Sequence, residues 1–245
     1  MESKKVDNKK IEISELEPQK RVVIPDDIKK EVDSQLKPLF EKNFYASSPQ
    51  FKLFMKSESK YFSKLEKMQR FLSLRIQSTE VLFEGFSACK SNKEDILKLM
   101  TFQNAIYYLS LIEVLGNNYV DQTILLLIGC GYAFHLEPYE THRYIRHAKT
   151  LEDIESPSVT LSIKLDFLYN NGFTFFKKWI KRNLRNKIAH LDFEIDKKGF
   201  ILFKEHINQK KMTKINLGEE LNTFLCYFTC VSEIFTEEIM KTGKK

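Results

Sequence analysis

Glycine and proline are scarce in this chain, 8 and 6 among 245 residues, and that scarcity restricts it to folds that need few tight turns. Long helices meet the condition, whereas a many-turned β-sandwich or a glycine-looped nucleotide fold does not. Apolar residues recur to match: Phe62, Leu65, Met68, Phe71, Leu72 and Ile76 follow three- and four-residue steps, predicting a long amphipathic helix from about Ser57 to Ala88. A hydrophobic fraction of 42%, with 13% aromatic, is enough for a sizeable core even though 29% of the residues are charged.

Local signals divide the rest. Pro25 followed by Asp26 and Asp27 opens a helix to about Phe44, which Ser47-Ser48-Pro49 ends. Ser91 with Glu94 three residues on reads as a capping box for a helix to about Leu115. Gly116-Asn117-Asn118 then reads as a stop, and a more apolar helix from about Val120 to Leu136 is expected to fold back as an antiparallel hairpin. Glu137 to Ser158 reads as a long loop, Val159 to Asn170 as a short helix closed by Asn170-Asn171-Gly172, and a further helix begins at about Phe173. Alternation from Phe193 to Ile207 around Lys197-Lys198-Gly199 predicts a β-hairpin, and Leu217 to Met240 a last helix. The expected fold is all-α, mostly a helical bundle, with a small β-hairpin after the motif helix. Residues 1–20 are expected to form a flexible charged arm, 21–90 an N-terminal helical extension and 91–245 the main helical domain.

The formal charge of +6 is modest over the whole chain, so its distribution matters more than its total. Cys89, Cys130, Cys226 and Cys230 show no paired ligand spacing, and Cys226 and Cys230, one helical turn apart among apolar residues, suit buried reduced thiols. The longest apolar stretch, Ile124 to Leu136, is short for a membrane span, and the charged start lacks a secretory signal pattern. No membrane association and a cytoplasmic location are expected. His135, His142 and His147, near Glu137 and Glu140, have no familiar ligand spacing, so neither a metal nor another cofactor is expected. Arg143, Arg146 and Lys149 in the same loop would extend a basic surface.

The chemistry concentrates between Lys177 and His190. On one continuous helix Phe176, Ile180, Leu184 and Ile188 form an apolar row beside Lys177, Lys181 and Arg185. Lys178, Arg182 and Lys187 widen the cationic strip, and the run KKWIKRNLRNK holds no acid. Such a strip attracts phosphate; its bland reading is a solvated helix face. Tyr107, Tyr108, Phe173, Phe175 and Trp179 have helical spacing that suits core packing better than base stacking.

The strip ends in RNKIAH, Arg185 to His190, which resembles the R-x4-6-H signature of HEPN domains, many of which are metal-independent ribonucleases. The resemblance covers about Lys93 to Met240 and implies a helical domain in which Arg185, His190 and Asn186 are catalytic and Lys177, Lys178, Lys181, Arg182 and Lys187 bind RNA. An imidazole exchanges a proton near neutral pH, and a guanidinium stays charged and offers a fork of donors to phosphate. Five residues place Arg185 and His190 about 140° apart around an ideal helix. Either the helix ends at the motif, or two copies build a composite site across a two-fold axis, as HEPN nucleases commonly do. Glu113 or Asp121 is available to hold Arg185 or His190 in place; the competing reading has Arg185 bonded to a helix-end carbonyl or to an acidic neighbour such as Asp192, with His190 as a cap. The expected function is a metal-independent RNA endonuclease, a toxin or antiviral effector, with RNA, a second copy and an antitoxin or regulatory protein as partners. The alternatives are a non-catalytic HEPN-like module that binds RNA, nucleotide or protein, and a purely structural helical dimer.

Overall fold

The computed structural model describes residues 23–43, 92–134, 150–205 and 211–242, with the isolated positions 48, 52, 55, 63, 66 and 148. The charged arm, the helix expected from Ser57 to Ala88 and most of the loop carrying His135, His142 and His147 lie outside them. The rest is mostly helical with one small three-stranded antiparallel sheet.

Helix α1 spans Asp26–Asn43 and opens as Pro25 and the two aspartates predict, with the Lys29 amide donating to the Pro25 carbonyl at 3.1 Å. Val32, Leu36, Leu39 and Phe40 recur every three or four residues and are buried in the main core. They pack along α8, Leu217–Thr242, the last helix. Phe40 meets Phe235 edge-to-face at 5.1 Å, and the Tyr227 hydroxyl donates to Glu31. This pairing of the first and last described helices draws α1 into the same core as the rest of the chain.

The expected hairpin between Lys93 and Leu136 does not form. Helix α2 (Lys93–Leu111) passes through a π-helical turn at Ile112–Gly116 directly into α3 (Asn117–Gly129), with helical torsions at Leu111, Ile112, Gly116 and Asn117. Gly116 is helical at φ −61°, ψ −52°. Its missing side chain serves a close approach, because a Cβ there would stand 3.2 Å from Ile180 Cδ1. Asn117 reaches one turn back, its amide Nδ2 donating to Glu113 Oε2 at 3.0 Å. What reads locally as a stop signal is therefore a packing contact and a side-chain hydrogen bond within one helical run. Asn92, not Ser91, caps its start by accepting from the Glu94 amide.

Every residue of α3 from Asn118 to Leu127 is buried. Helices α4 (Leu151–Ile154) and α5 (Leu161–Asn170) lie against it. Here Lys164 of α5 donates from Nζ to Asp121 Oδ1 at 2.7 Å, with both residues under 10% exposed at 8% and 7%. Asp121 is thus taken by a structural ion pair and does not reach Arg185 or His190.

Helices α6 (Phe175–Trp179) and α7 (Arg182–Ala189) follow. Tyr108, Phe173, Phe175 and Trp179 are core residues, and Tyr107 is half-buried against them. Strands β1 (Glu194–Ile195) and β2 (Ile201–Phe203) form the expected hairpin, in register Glu194 with Leu202 and Ile195 with Ile201. A third strand, β3 (Thr213–Ile215), pairs with β2 and was not anticipated. The hairpin turn needs Gly199: its φ is +76°, and a Cβ would press to 2.9 Å from Leu97 Cγ on α2. Beside it, Lys214 and the amides of Phe200 and Lys198 hold the Asp196 carboxyl down to about 2.

Removing one partner of a buried ion pair leaves the other charge uncompensated, at a cost of about 3 kcal/mol. Lys164→Met keeps most of the stem volume, so its expected loss of that size reports the charge removed from beside buried Asp121. A urea midpoint unchanged from the parent protein would contradict the pairing.

Candidate active site at the end of the motif helix

The motif stands on its own short helix. Sequence periodicity predicts one helix from Phe173 through His190, but extended Ile180 (φ −108°, ψ 93°) and non-helical Lys181 (φ −74°, ψ 89°) divide it into α6 and α7. The break lets Ile180 drop onto Gly116 while Phe176, Leu184 and Ile188 remain buried, so the apolar row survives without the continuous helix.

The cationic strip is neutralised by acids distant in sequence. Lys178 pairs with Glu31 of α1 at 2.7 Å, Lys181 with Glu220 of α8 at 2.6 Å, and Lys177 with Asp166 of α5 at 3.1 Å. Arg182 shares Asp166 and also donates to Ser162, and Lys187 pairs with Asp192. Lys177 additionally lies 3.8 Å over the Tyr169 ring. Each pair has at least one solvent-exposed side chain, although Glu31, Glu220 and Lys187 are partly buried, and surface pairs of this kind contribute about 1 kcal/mol or less. All five expected RNA-binding cations therefore already have carboxylate partners, a feature invisible in a run without acids.

Arg185 is half-buried and points at the π turn. Its Nε donates to Glu113 Oε1 at 2.8 Å, one NH2 proton goes to the same oxygen, and NH1 donates to Asn186 Oδ1 at 3.0 Å. Glu113 is in turn fixed by Asn117 through its other oxygen. Of the two acids weighed from sequence, Glu113 is the one that holds the arginine. A guanidinium has five N–H donors, so two remain without a partner among the described residues.

Helix α7 ends at His190. Its amide donates to Asn186 O at 3.0 Å, that of Leu191 to Ile188 O at 3.1 Å and that of Asp192 to Lys187 O at 2.8 Å. The last two bonds form a Schellman motif. Leu191 occupies its left-handed position at φ +55°, alone among the described non-glycine residues in having positive φ, and its side chain is 62% exposed. The helix does end at His190, but it is regular from Arg185 through Ala189, so the end does not by itself remove the separation of about 140° between the two side chains. His190 is exposed, and among the described residues no side chain hydrogen-bonds its imidazole. Arg185 and Asn186 are brought into direct contact; His190 is joined to them only through its backbone. Asp192 is bound to Lys187 instead, but Arg185 does bond an acid, Glu113, and His190 is the C-cap residue of α7, as the competing reading has them.

The described residues contain no group of three or more His, Cys, Asp or Glu side chains placed to hold a metal, and no helix among them is long and apolar enough to cross a membrane. Cys226 and Cys230 are buried, and burial pushes the Cys230 thiol up to about 11. Compared with protein-family models, curated proteins and solved structures, the chain matches none.

A leucine in the left-handed region costs about 1 kcal/mol that glycine does not incur. Leu191→Gly is accordingly expected to stabilise the protein by about 0.5–1 kcal/mol, measured by denaturant melts. A loss of stability would show that the exposed leucine side chain is held by contacts that outweigh the torsion.

Proposed function

We propose that this chain is a metal-independent RNA endonuclease of HEPN type, acting in the cytoplasm as a toxin or defence effector. The observation that carries the reading is at the end of α7: Arg185 is clasped by Glu113 and bonded to Asn186, and among the described residues two of its donors and the imidazole of exposed His190 have no partner.

Cleavage proceeds by attack of the ribose 2′-oxygen on the adjacent phosphorus as the bond from phosphorus to the 5′-oxygen breaks. The 2′-hydroxyl loses its proton and the 5′-oxygen gains one, leaving a 2′,3′-cyclic phosphate and a 5′-hydroxyl. His190 exchanges protons in this transfer, and Arg185 stabilises the charge that builds on the non-bridging oxygens. Glu113 fixes the plane of the guanidinium in advance, so no side-chain ordering remains to be done when the phosphate arrives. The nucleophile belongs to the substrate, and the two charged roles are filled by side chains, so the chemistry asks for no metal. A second copy would place another Arg185 and His190 across a two-fold axis and complete a composite site, with an antitoxin or regulatory protein covering it.

One observation favours a second reading. Arg185 and every cation of the strip already have acidic partners, which is also how a non-catalytic module that binds RNA or protein would look. Incubation of labelled single-stranded RNA in EDTA separates the two. The parent protein is expected to cut; His190→Ala should slow cutting by about 10²–10⁴-fold. Arg185→Lys, which keeps the charge but loses the fork, should slow it by about 10²-fold or more. Intact RNA with the parent protein, or rates equal to the parent's in both variants with unchanged melting, would sink the nuclease reading.

A further inference from the structure

Asn117 occupies its position at a cost to stability. It stands inside a continuous helical run, where asparagine is a poor helix former, and its backbone closes the π turn, the N–H donating to the Ile112 carbonyl five residues back. Its side chain reaches back as well, Nδ2 donating to Glu113 Oε2 at 3.0 Å. A carboxylate only accepts hydrogen bonds, so the amide must present Nδ2 to Glu113 and turn Oδ1 away. There Oδ1 is buried, with no hydrogen-bond partner among the described residues. An amide oxygen taken out of water and left unpaired destabilises the fold.

The bond to Glu113 does not offset this by protecting a buried charge. The Glu113 side chain is 38% exposed, so water would take up Oε2 in the absence of Asn117. What the bond supplies is direction. Glu113 Oε1 receives both Nε and NH2 of Arg185, and a carboxylate held through one oxygen alone can swing about its own stem. With Oε2 tied to Asn117 on the same helical run, the carboxylate plane is fixed, and the guanidinium that chelates Oε1 is fixed with it.

We propose that Asn117 is a positioning residue for Arg185, holding the guanidinium through Glu113 at the angle from which its two remaining donors meet the phosphoryl oxygens. The role rests on the ribonuclease reading, since only then does the angle of the guanidinium affect a rate. Asn117 touches no substrate and adds nothing to the affinity for RNA. It acts by preorganisation, so its loss slows the bound complex and leaves binding alone.

Asn117→Leu tests this, because leucine copies the branched shape of asparagine without its polar atoms. The full chain with Asn117→Leu is expected to melt no lower than the parent, while kcat on single-stranded RNA in EDTA falls about tenfold at unchanged KM. Asn117→Ala should behave alike and guards against a misfit of the leucine. A second readout needs no cutting. In NMR spectra the Nε–H signal of Arg185, assigned by its absence in Arg185→Lys, should be protected from exchange with water in the parent and lose that protection in both Asn117 variants. A kcat equal to the parent's, or a fall in kcat that comes with a lower melting temperature or a raised KM, overturns the positioning role. So does an Nε–H signal that stays protected in the variants. Intact RNA with the parent protein, together with loss of protection in the variants, retains the link from Asn117 to the guanidinium and sinks the nuclease reading alone.

Discussion

The contact between Glu113 and Arg185 fixes the relation between the two halves of the candidate site. Glu113 sits in a π-helical turn, and the extra residue in such a turn re-aims the side chains that follow it. One carboxylate oxygen takes Asn117 within the same helical run, and the other takes the Arg185 fork from α7. Three residues further on, Gly116 admits Ile180 against the helix backbone, which seats the break between α6 and α7. A carboxylate and a missing methyl group, three positions apart, thus determine where the motif helix starts and how its arginine is turned. Loss of the π turn would rotate Glu113 away and leave a half-buried guanidinium without its partner.

The scaffold around this contact has the opposite character. Helix α3 is buried over its whole middle, pinned by the Asp121–Lys164 pair, and α1 and α8 close the core with Phe40, Phe235 and Tyr227. The motif end of α7 is exposed, closed by a leucine in a torsion that glycine would adopt more readily. Rigid packing behind and an open, slightly strained turn in front is the distribution expected of a site that must meet a large ligand.

Much of the helical architecture was legible because its causes are local. Pro25 with two aspartates starts α1, Gly199 turns the hairpin, and the periodic apolar residues after Leu217 fix the last helix. The continuity through Gly116-Asn117-Asn118 was not legible, since the turn signal is overridden by Ile180 and Glu113, neither of which neighbours it in sequence. For the same reason the break at Ile180 and Lys181 was hidden: the apolar row from Phe176 to Ile188 has helical spacing whether or not the helix is continuous. Strand β3 is three residues long, too short for its alternation to register.

At the candidate site, Arg185, Asn186 and His190 were singled out by resemblance, and Glu113 was weighed as a holder without a reason to prefer it to Asp121. The acids that neutralise the strip, Glu31, Asp166 and Glu220, come from three other helices, so a run that reads as a bare cationic face is a set of exposed ion pairs.

In the proposed reaction one guanidinium and one imidazole at the end of α7 break RNA by means of its own 2′-hydroxyl. Mass spectrometry of the fragment ends formed by the purified chain in EDTA tests it most directly. The account predicts 2′,3′-cyclic phosphates paired with 5′-hydroxyls; fragments ending in 3′-hydroxyls and 5′-phosphates, or no fragments at all, would contradict it.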